Sequence, residues 1–242
     1  MMTRSFAFVT DPHLDDAFTR GNQVPAREDL LLLLQEIAGK GIREVVIGGD
    51  IGEPSSHTFL FDALKAYTPE YKIILGNFDK LEDVRQHYDP PVMVDGTMCY
   101  SEDRDGFRYI FLDSSSEVLS DAQLQWLEQA LKTAGKVILF VHHPIVEIPV
   151  WLDGLQPFRG REKIKALLLD HRHDVHIYCG HLHITDQRQE QNIRQTVTPA
   201  TSAQFIKEAT EAVVDLSYFG YSIITITGDT VTTEIVRWER NR

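Results

Sequence analysis

The sequence predicts an α/β fold with two mixed β-sheets and helices on their outer faces. Short apolar runs rich in Val, Ile, Phe and Tyr recur along the chain, which is typical of buried strands. Helical patterns separate the early runs, and antiparallel strand patterns close the chain. No linker, repeat or low-complexity tract interrupts this series, so we expect a single domain over residues 1–242.

Five apolar runs are the predicted strands of the βα part of the chain. Each run is short, and each is followed directly by Gly, Asp or His. In chain order they are Ser5–Thr10, Glu44–Ile47, Lys72–Leu75, Lys136–Val141 and Asp174–Cys179.

Four segments carry helix signals. Ser120 is a candidate N-cap, and Gly135 stands just past the predicted end of the same helix. Another segment opens with Pro and closes with Gly, as helices prefer. The predicted helices are Pro25–Gly39, Ser55–Tyr67 with Ser55 as a cap candidate, Ser120–Ala134 and Arg161–Leu169.

The remaining strand patterns are antiparallel. Met98–Ser101 and Phe107–Leu112 flank an acidic turn that contains Gly, which predicts a hairpin. Gly228 and Asp229 form a second tight turn near the C-terminus. The strand-like segments of that region are Ile193–Val197, Ser222–Thr227 and Val231–Arg237.

The composition excludes several classes of function. Lys and Arg number 24 and Asp and Glu number 36, which gives a net charge of −12 with neutral His. This charge disfavours nucleic-acid polymers and anionic membranes as partners, because both require a positive surface. The sequence has no stretch of about 18 uncharged apolar residues, the length that a helix needs to cross a bilayer. Cys99 and Cys179 form no disulfide framework, so we expect free thiols and a cytoplasmic location.

Side chains of Asp, Asn and His follow the ends of the five predicted strands, each beside Gly or Pro. Ligands of open α/β sheets bind outside the carboxyl ends of the strands, so these side chains should meet. Oxygen and imidazole donors without thiolate suit divalent metals such as Mn, Fe or Zn. In chain order the candidates are Asp11, His13, Asp50, Asn77, His142, His143, His181 and His183.

The spacing within these blocks favours a shared metal centre. Asp11 and His13 are two residues apart, as are His181 and His183, and such pairs point to the same side of an extended segment. Neighbouring glycines let the backbone turn sharply and approach a metal closely. A carboxylate between two cations can bridge them, because its oxygens span the roughly 3.5–4 Å of dinuclear sites.

The five blocks together resemble the motifs of the calcineurin-like metallophosphoesterases. That family has D-x-H, G-D-x-x-D/E, G-N-H-D/E, H-x-P and G-H-x-H in this order. Each block is a weak signal, but five blocks in the same order are specific. The resemblance implies a four-layer α/β/β/α sandwich of two mixed sheets flanked by helices. The matching segments are Asp11–His13, Gly49–Glu53, Gly76–Asp79, His142–Pro144 and Gly180–His183.

The resemblance also implies two divalent ions, with Asp50 as the bridge and a bridging hydroxide as the nucleophile. His143 is the alternative to His142, although the H-x-P spacing favours His142. Asp50 and Asn77 are expected in catalytic as well as ligand roles. The ligands of the first ion would be Asp11, His13, Asp50 and His183. The ligands of the second ion would be Asp50, Asn77, His142 and His181.

One position departs from the family pattern. Phe78 stands where the family usually has a His that stabilises or protonates the leaving group. General acid help is typically worth 10²–10⁴-fold, so substrates with good leaving groups should suffer less from this change. His143 is a candidate substitute for the missing His.

A second resemblance concerns the segment Thr198–Phe205. It resembles the T-P-S/A-T-S/C-x-Q-F segment of the class III cyclic-nucleotide phosphodiesterase and glycerophosphodiesterase branch. The adjacent His142 and His143 before Pro and the stretch Asp153–Arg161 also fit that branch. The resemblance therefore points to a phosphodiesterase.

Four further residues have two interpretations each. Glu53 and Asp79 could orient ligating imidazoles, and the alternative is helix or turn capping. Arg159 and Arg161 could bind phosphate in a substrate wall, and the alternative is a packed loop.

The sequence therefore predicts a metal-dependent phosphodiesterase that acts on a small phosphoester of the cyclic-nucleotide or glycerophosphodiester type. A phosphomonoesterase for nucleotides or phosphoproteins is the first alternative. A non-catalytic binding scaffold is the second alternative; Phe78 favours it, whereas the complete ligand set favours the enzyme. We expect no nucleic-acid or membrane partner, and a homo-oligomer is one option that the sequence leaves open.

Overall fold

The computed structural model describes residues 3–91, 93–132 and 135–240. Within these ranges the chain forms two large sheets, a two-stranded ladder and flanking helices. The strands are β1 (Thr3–Val9), β2 (Glu44–Ile47), β3 (Glu70–Ile73), β4 (Tyr100–Arg104), β5 (Phe107–Leu112), β6 (Lys136–Val141), β7 (Val175–Cys179), β8 (Asp186–Glu190), β9 (Ile193–Val197), β10 (Gln204–Phe205), β11 (Val214–Asp215), β12 (Tyr218–Thr227) and β13 (Thr230–Glu239). The helices are α1 (Ala17–Gly21), α2 (Ala26–Gly39), α3 (His57–Tyr67), α4 (Leu81–Val84), α5 (Asp121–Ala130), α6 (Trp151–Leu155) and α7 (Arg161–Leu169).

Both large sheets are mixed. The first has the order β13-β12-β1-β2-β3, in which β1, β2 and β3 are parallel and β12 and β13 are antiparallel. The second has the order β4-β5-β6-β7-β9-β8, in which the four central strands are parallel. Parallel strands end at the same edge of their sheet, so the residues after β1, β2, β3, β6 and β7 are brought to two facing edges.

Alternation along β6 shows how the layers pack. Ile138 and Phe140 belong to the core cluster between the sheets, whereas Val137 and Leu139 belong to the cluster beneath the helices. The ring centroid of Phe140 lies 6.0 Å from that of Phe6 in β1, which joins the two sheets face to face.

Helices cover the outer face of each sheet. Leu30 and Leu33 of α2 are fully buried in the same cluster as Ile138 and Phe140, because that cluster also includes the residues on the outer face of the first sheet. Leu127 of α5 and Leu168 of α7 are fully buried in the second cluster. These layers form the four-layer α/β/β/α sandwich that the sequence predicted.

The strand predictions are confirmed. Glu44–Ile47, Phe107–Leu112, Lys136–Val141 and Ile193–Val197 have the predicted bounds, and the other predicted strands overlap the observed ones. The strand β8 was missed, because the polar stretch Asp186–Glu190 is an edge strand whose side chains alternate between buried and solvated positions.

Two helix boundaries were wrong. The predicted helix Ser120–Ala134 is observed as Asp121–Ala130 with Ser120 as its N-cap, and Ala134 lies outside the described residues. Ser55 is not a cap, because Pro54 starts a 3₁₀ turn ahead of α3, and Ser56 precedes α3 without a side-chain cap.

The expectations for the cysteines and for membrane-spanning helices can also be compared with the structure. Cys99 and Cys179 are buried free thiols, as expected. Among the described helices, none has the length and apolar character needed to cross a bilayer.

The capping box of α5 generates a stability prediction. Gln123 N donates to Ser120 Oγ at 3.2 Å, and Ser120 N donates to Gln123 Oε1 at 2.9 Å. We expect Ser120→Ala to lower the free energy of unfolding by about 1 kcal/mol, measured by urea denaturation. The matched control is Ser55→Ala, which should change it by less than about 0.5 kcal/mol because Ser55 is exposed and caps no helix. Equal losses in the two variants would contradict the assignment.

Candidate metal centre

The strand ends bring seven buried donors together. Among the described Asp, Glu, His and Cys residues, three groups have ligand atoms that all lie within 4.8 Å of one another. The groups share Asp11 and His142, so they form one continuous cluster. The groups are Asp11/His13/His183, Asp11/Asp50/His142 and His142/His143/His181.

Asp50 lies in the middle of this cluster. Its Oδ2 is 3.6 Å from His13 Nε2 on one side and 3.2 Å from His142 Nε2 on the other. Asp11 Oδ1 lies 3.4 Å from His183 Nε2 and 3.9 Å from His142 Nε2. Two carboxylates thus stand between the two groups of imidazoles, where the sequence placed a bridging ligand.

Several buried polar atoms at the centre have no hydrogen-bond partner among the described residues. They are Asn77 Oδ1 and the Nε2 atoms of His142, His143 and His181. Buried polar atoms without a partner are rare and require an explanation. A divalent ion would satisfy all of them, and carboxylate, imidazole and amide oxygen donors suit Mn, Fe or Zn. The residues present therefore fit the metal that the sequence predicted.

The charges of the cluster agree with this fit. Burial alone would lower the pKa of His142, but the carboxylates of Asp50 and Asp11 outweigh it and raise the pKa to about 10. The paired carboxylates therefore attract positive charge. Burial, together with the nearby His142, lowers the pKa of His181 to about 3, which keeps this imidazole neutral and able to coordinate.

Asp16 orients the His13 ring. His13 Nδ1 lies 2.6 Å from Asp16 Oδ2, so its Nε2 faces the centre. Asp16 Oδ1 also accepts a hydrogen bond from Thr19 N at 2.9 Å and thereby caps α1. Sequence analysis missed Asp16, although its position three residues after a candidate ligand was a usable signal.

Backbone carbonyls orient two other rings. His142 Nδ1 lies 2.7 Å from the Gly48 carbonyl oxygen, and His183 Nδ1 lies 2.7 Å from that of Ala203. In both cases Nε2 is left to face the carboxylates. No side-chain pattern identifies a carbonyl partner, so the sequence carried no signal for these contacts.

His143 lies beside the predicted ligands. Its Nδ1 is 2.9 Å from Ser114 Oγ, and its ring centroid is 4.3 Å from that of His181 and 5.4 Å from that of Phe158. Burial, aided by His181, holds the pKa of His143 well below its ordinary value. Its placement within a donor group favours a ligand role over the leaving-group role.

Five of the donor residues adopt left-handed backbone conformations that L-residues rarely occupy. Their φ angles are 54° for Asp11, 46° for His13, 51° for Asp50, 67° for His181 and 50° for His183. Such conformations cost of order 1–3 kcal/mol each and persist where the surrounding structure imposes them. The donors therefore lie in turns after the strands, and the extended backbone expected for the Asp11/His13 and His181/His183 pairs was wrong.

Glycines permit the close approach of these loops. A Cβ at Gly180 would lie 2.2 Å from Thr10 Oγ1 and 2.3 Å from Asp11 Oδ2. A Cβ at Gly76 would lie 2.1 Å from Asp50 Oδ1. The two glycines thus serve the close packing that sequence analysis expected of them.

Asp79 supports the loops through the backbone. Its carboxylate accepts hydrogen bonds from the N–H groups of Asp50, Ile51 and Gly76 at 2.8, 2.9 and 2.8 Å. Burial and the Asp50 carboxylate raise the pKa of Asp79 to about 7. Asp79 therefore holds the strand-end loops, which agrees with the turn-capping interpretation.

The two candidate arginines lie elsewhere. Arg161 is buried and forms an ion pair with Asp153 at 2.6 Å, and Arg159 is exposed. Neither is among the residues that line the cleft at the donor cluster. Their contacts agree with the packed-loop interpretation.

A cleft of about 440 Å³ opens onto the donor cluster. One wall is apolar, and Phe78 at its rim is 66% exposed, with its ring edge-on to His13 at 5.6 Å. Glu53 lines the same cleft. The lining residues are His13, Asp16, Ala17, Phe18, Asp50, Glu53, Phe78, Leu152, Gln156, His181, His183 and Phe205.

Comparisons with known proteins agree with this site. A family model described as calcineurin-like phosphoesterase matches residues 4–185. A probable cyclic nucleotide phosphodiesterase of Fibrobacter succinogenes is 29% identical over 202 residues, which cover 81% of this chain and 79% of that protein. A glycerophosphodiester phosphodiesterase of Enterobacter lignolyticus is 29% identical over 199 residues, which cover 73% of this chain and 71% of that protein.

The fold has similar solved structures. A dimetal phosphatase from Danio rerio has a TM-score of 0.66 at 14% identity, over 96% of this chain and 95% of that chain. At this identity the likeness concerns the fold alone. Since the family model spans most of the chain and the five motifs lie together in the structure, the chain belongs to the calcineurin-like phosphoesterase family, as its strand-end motifs predicted.

Proposed function

We propose that the protein is a metal-dependent phosphodiesterase that hydrolyses a small phosphodiester in the cleft at the donor cluster. Family membership supports the reaction class, and the relatives named as phosphodiesterases support the diester. The observation that carries the choice of a diester is the charge of the cleft wall.

The described residues that line the cleft include three carboxylates, those of Asp16, Asp50 and Glu53, and no Lys or Arg. A phosphomonoester carries nearly two negative charges at neutral pH, because its second pKa is about 6. A phosphodiester carries one negative charge. Apart from the donor cluster, the wall offers no side-chain cation for the second charge of a monoester, so it favours the diester.

The donor cluster would hold two divalent ions. Two such ions would supply the positive charge that activates a water nucleophile and neutralises the phosphoryl oxygens. Asp11, His13, Asp50 and His183 would hold one ion. Asp50, Asn77, His142 and His181 would hold the other, with His143 as a further donor.

Residues of this chain hold that arrangement in place. The backbone N–H of Phe78 donates to Asp50 Oδ1 at 3.0 Å, and Asp79 holds the backbone of Asp50. The N–H of His181 donates to Asp11 Oδ2 at 3.1 Å. The central carboxylates are therefore fixed before any substrate arrives, which is the preorganisation that electrostatic catalysis requires.

The apolar wall indicates the kind of ester group. Phe18 and Phe205 lie 5.8 Å apart between ring centroids, and Leu152 lines the same cleft. Aromatic side chains pack well against flat apolar groups. The wall therefore favours a diester with a nucleobase or an aryl group over a glycerol ester.

The first prediction concerns the diester and Asp50. With Mn²⁺ added, we expect hydrolysis of bis(4-nitrophenyl) phosphate to exceed that of 4-nitrophenyl phosphate, measured as kcat/KM. Asp50→Asn should lower diester turnover by at least about 100-fold, since even partners of metal ligands are worth 10–100-fold. Asp62→Asn, at an exposed position of α3, is the matched control and should keep full activity. Faster monoester turnover, or an active Asp50→Asn variant, would refute the proposal.

The second prediction concerns Phe78. Phe78→His restores a proton donor at the cleft rim, so it should raise kcat/KM for 3′,5′-cyclic AMP, which has an alkoxide leaving group, by about 100-fold. Turnover of bis(4-nitrophenyl) phosphate should change little, because its leaving group needs no proton. Phe78→Leu removes the ring without adding a donor and serves as the control. If the ratio of cyclic AMP turnover to bis(4-nitrophenyl) phosphate turnover were the same in the His and Leu variants, the missing acid would not be what limits cyclic AMP hydrolysis.

A further inference from the structure

We propose that Arg240 is a positioning residue for the metal centre and acts through the Thr198–Phe205 segment. The inference rests on the metal centre proposed above and assigns a role to a segment that the family motifs of the site leave unexplained. Arg240 directly follows β13, and its side chain is 12% exposed.

Two successive residues of the segment contact two predicted ligands of the same donor group. Ser202 Oγ donates to the carbonyl oxygen of Asp11 at 2.7 Å, and Ser202 N donates to the same oxygen at 3.3 Å. The carbonyl oxygen of Ala203 lies 2.7 Å from His183 Nδ1. The position of residues 202 and 203 therefore determines both the Asp11 loop and the orientation of the His183 ring.

The contacting part of the segment belongs to neither large sheet. Ser202 and Ala203 lie between β9 and β10 and are fully buried. The Gln204 side chain bonds the backbone of Ala200 twice, through its Oε1 at 3.1 Å and its Nε2 at 2.8 Å. No ladder of a large sheet holds residues 202 and 203, so their position depends on single backbone hydrogen bonds, such as Thr201 N to the Thr10 carbonyl oxygen at 2.9 Å, and on side-chain contacts.

Arg240 supplies such a contact to Ser202, through the carbonyl oxygen rather than the hydroxyl that contacts Asp11. Its guanidinium donates to the carbonyl oxygen of Ser202, and its Nη1 donates to that of Leu216 at 3.2 Å. Its Nε donates to Asp29 Oδ2 at 3.1 Å, and the guanidinium lies 4.7 Å from the Phe219 ring centroid. One planar side chain thus joins α2, β12 and the Thr198–Phe205 segment.

The geometry requires an arginine. A lysine could pair with the buried carboxylate of Asp29, but its single ammonium cannot also donate along the fixed directions toward Ser202 and Leu216. Without the guanidinium of Arg240, the Ser202 carbonyl loses a hydrogen-bond donor and is free to shift. Because Ser202 and Ala203 contact Asp11 and His183, such a shift moves two ligands of one ion.

The test measures Mn²⁺ affinity, by titrating the Mn²⁺-loaded protein with a chromophoric chelator, together with the temperature of unfolding. We expect Arg240→Met and Arg240→Lys to weaken Mn²⁺ binding by about tenfold, the lower end of the 10–100-fold range for partners of metal ligands, because Arg240 acts through Ser202 and does not contact a predicted ligand itself. The matched control is Arg4→Met, because Arg4 pairs with the buried Glu44 at the opposite end of β1. It should lower the unfolding temperature and leave the Mn²⁺ affinity unchanged.

A double-mutant cycle tests the route through Ser202. Ser202→Ala should also weaken Mn²⁺ binding, and Arg240→Lys combined with Ser202→Ala should lose less than the product of the two single losses. Wild-type affinity in both Arg240 variants, with a lowered unfolding temperature, would reduce Arg240 to a structural role and overturn the inference. If Arg240→Met does not fold, Arg240→Lys still decides the matter. A wild-type protein that holds no Mn²⁺ would overturn the proposed metal centre and this inference together.

Discussion

Two carboxylates buried at the facing edges of two sheets are the constraint on which the site depends. Asp11 is fully buried and Asp50 is 2% exposed, and a buried carboxylate is costly unless charge and hydrogen bonds compensate it. Imidazoles from both sheets and backbone N–H groups surround the two side chains. This convergence of five loops explains two other features of the site. The donors adopt left-handed backbone conformations, and Gly76 and Gly180 stand where a side chain would collide with a neighbouring loop.

The fold and most of the donors could be predicted because they depend on short-range patterns. A run of β-branched residues that ends in a polar residue marks both a strand and its carboxyl end, as at Glu44–Ile47 before Asp50. The parallel arrangement then brings those ends to one edge without further information. His143 was harder to assign, because adjacent His142 and His143 leave the choice of ligand open, and the structure places both in one donor group.

The contacts that orient the donors could not be predicted, because they depend on tertiary structure. The Gly48 and Ala203 carbonyls are ordinary backbone groups whose role appears only when the chain is folded. Arg240 is separated from Asp29 by most of the sequence, and an arginine near a chain end resembles a solvated surface residue. The polar strand β8 was missed for a related reason, since an edge strand gains its place from its neighbour β9 rather than from apolar residues.

Asp16 gives the site a mechanical property. One of its oxygens caps α1, which carries Phe18 of the cleft wall, and the other holds the His13 ring. Phe18 also lies 5.4 Å from His13 between ring centroids. The carboxylate that orients a donor imidazole thus also fixes the first turn of the helix that carries the apolar wall. The apolar wall and the donor ring therefore share one support, so a substitution at Asp16 would disturb both at once.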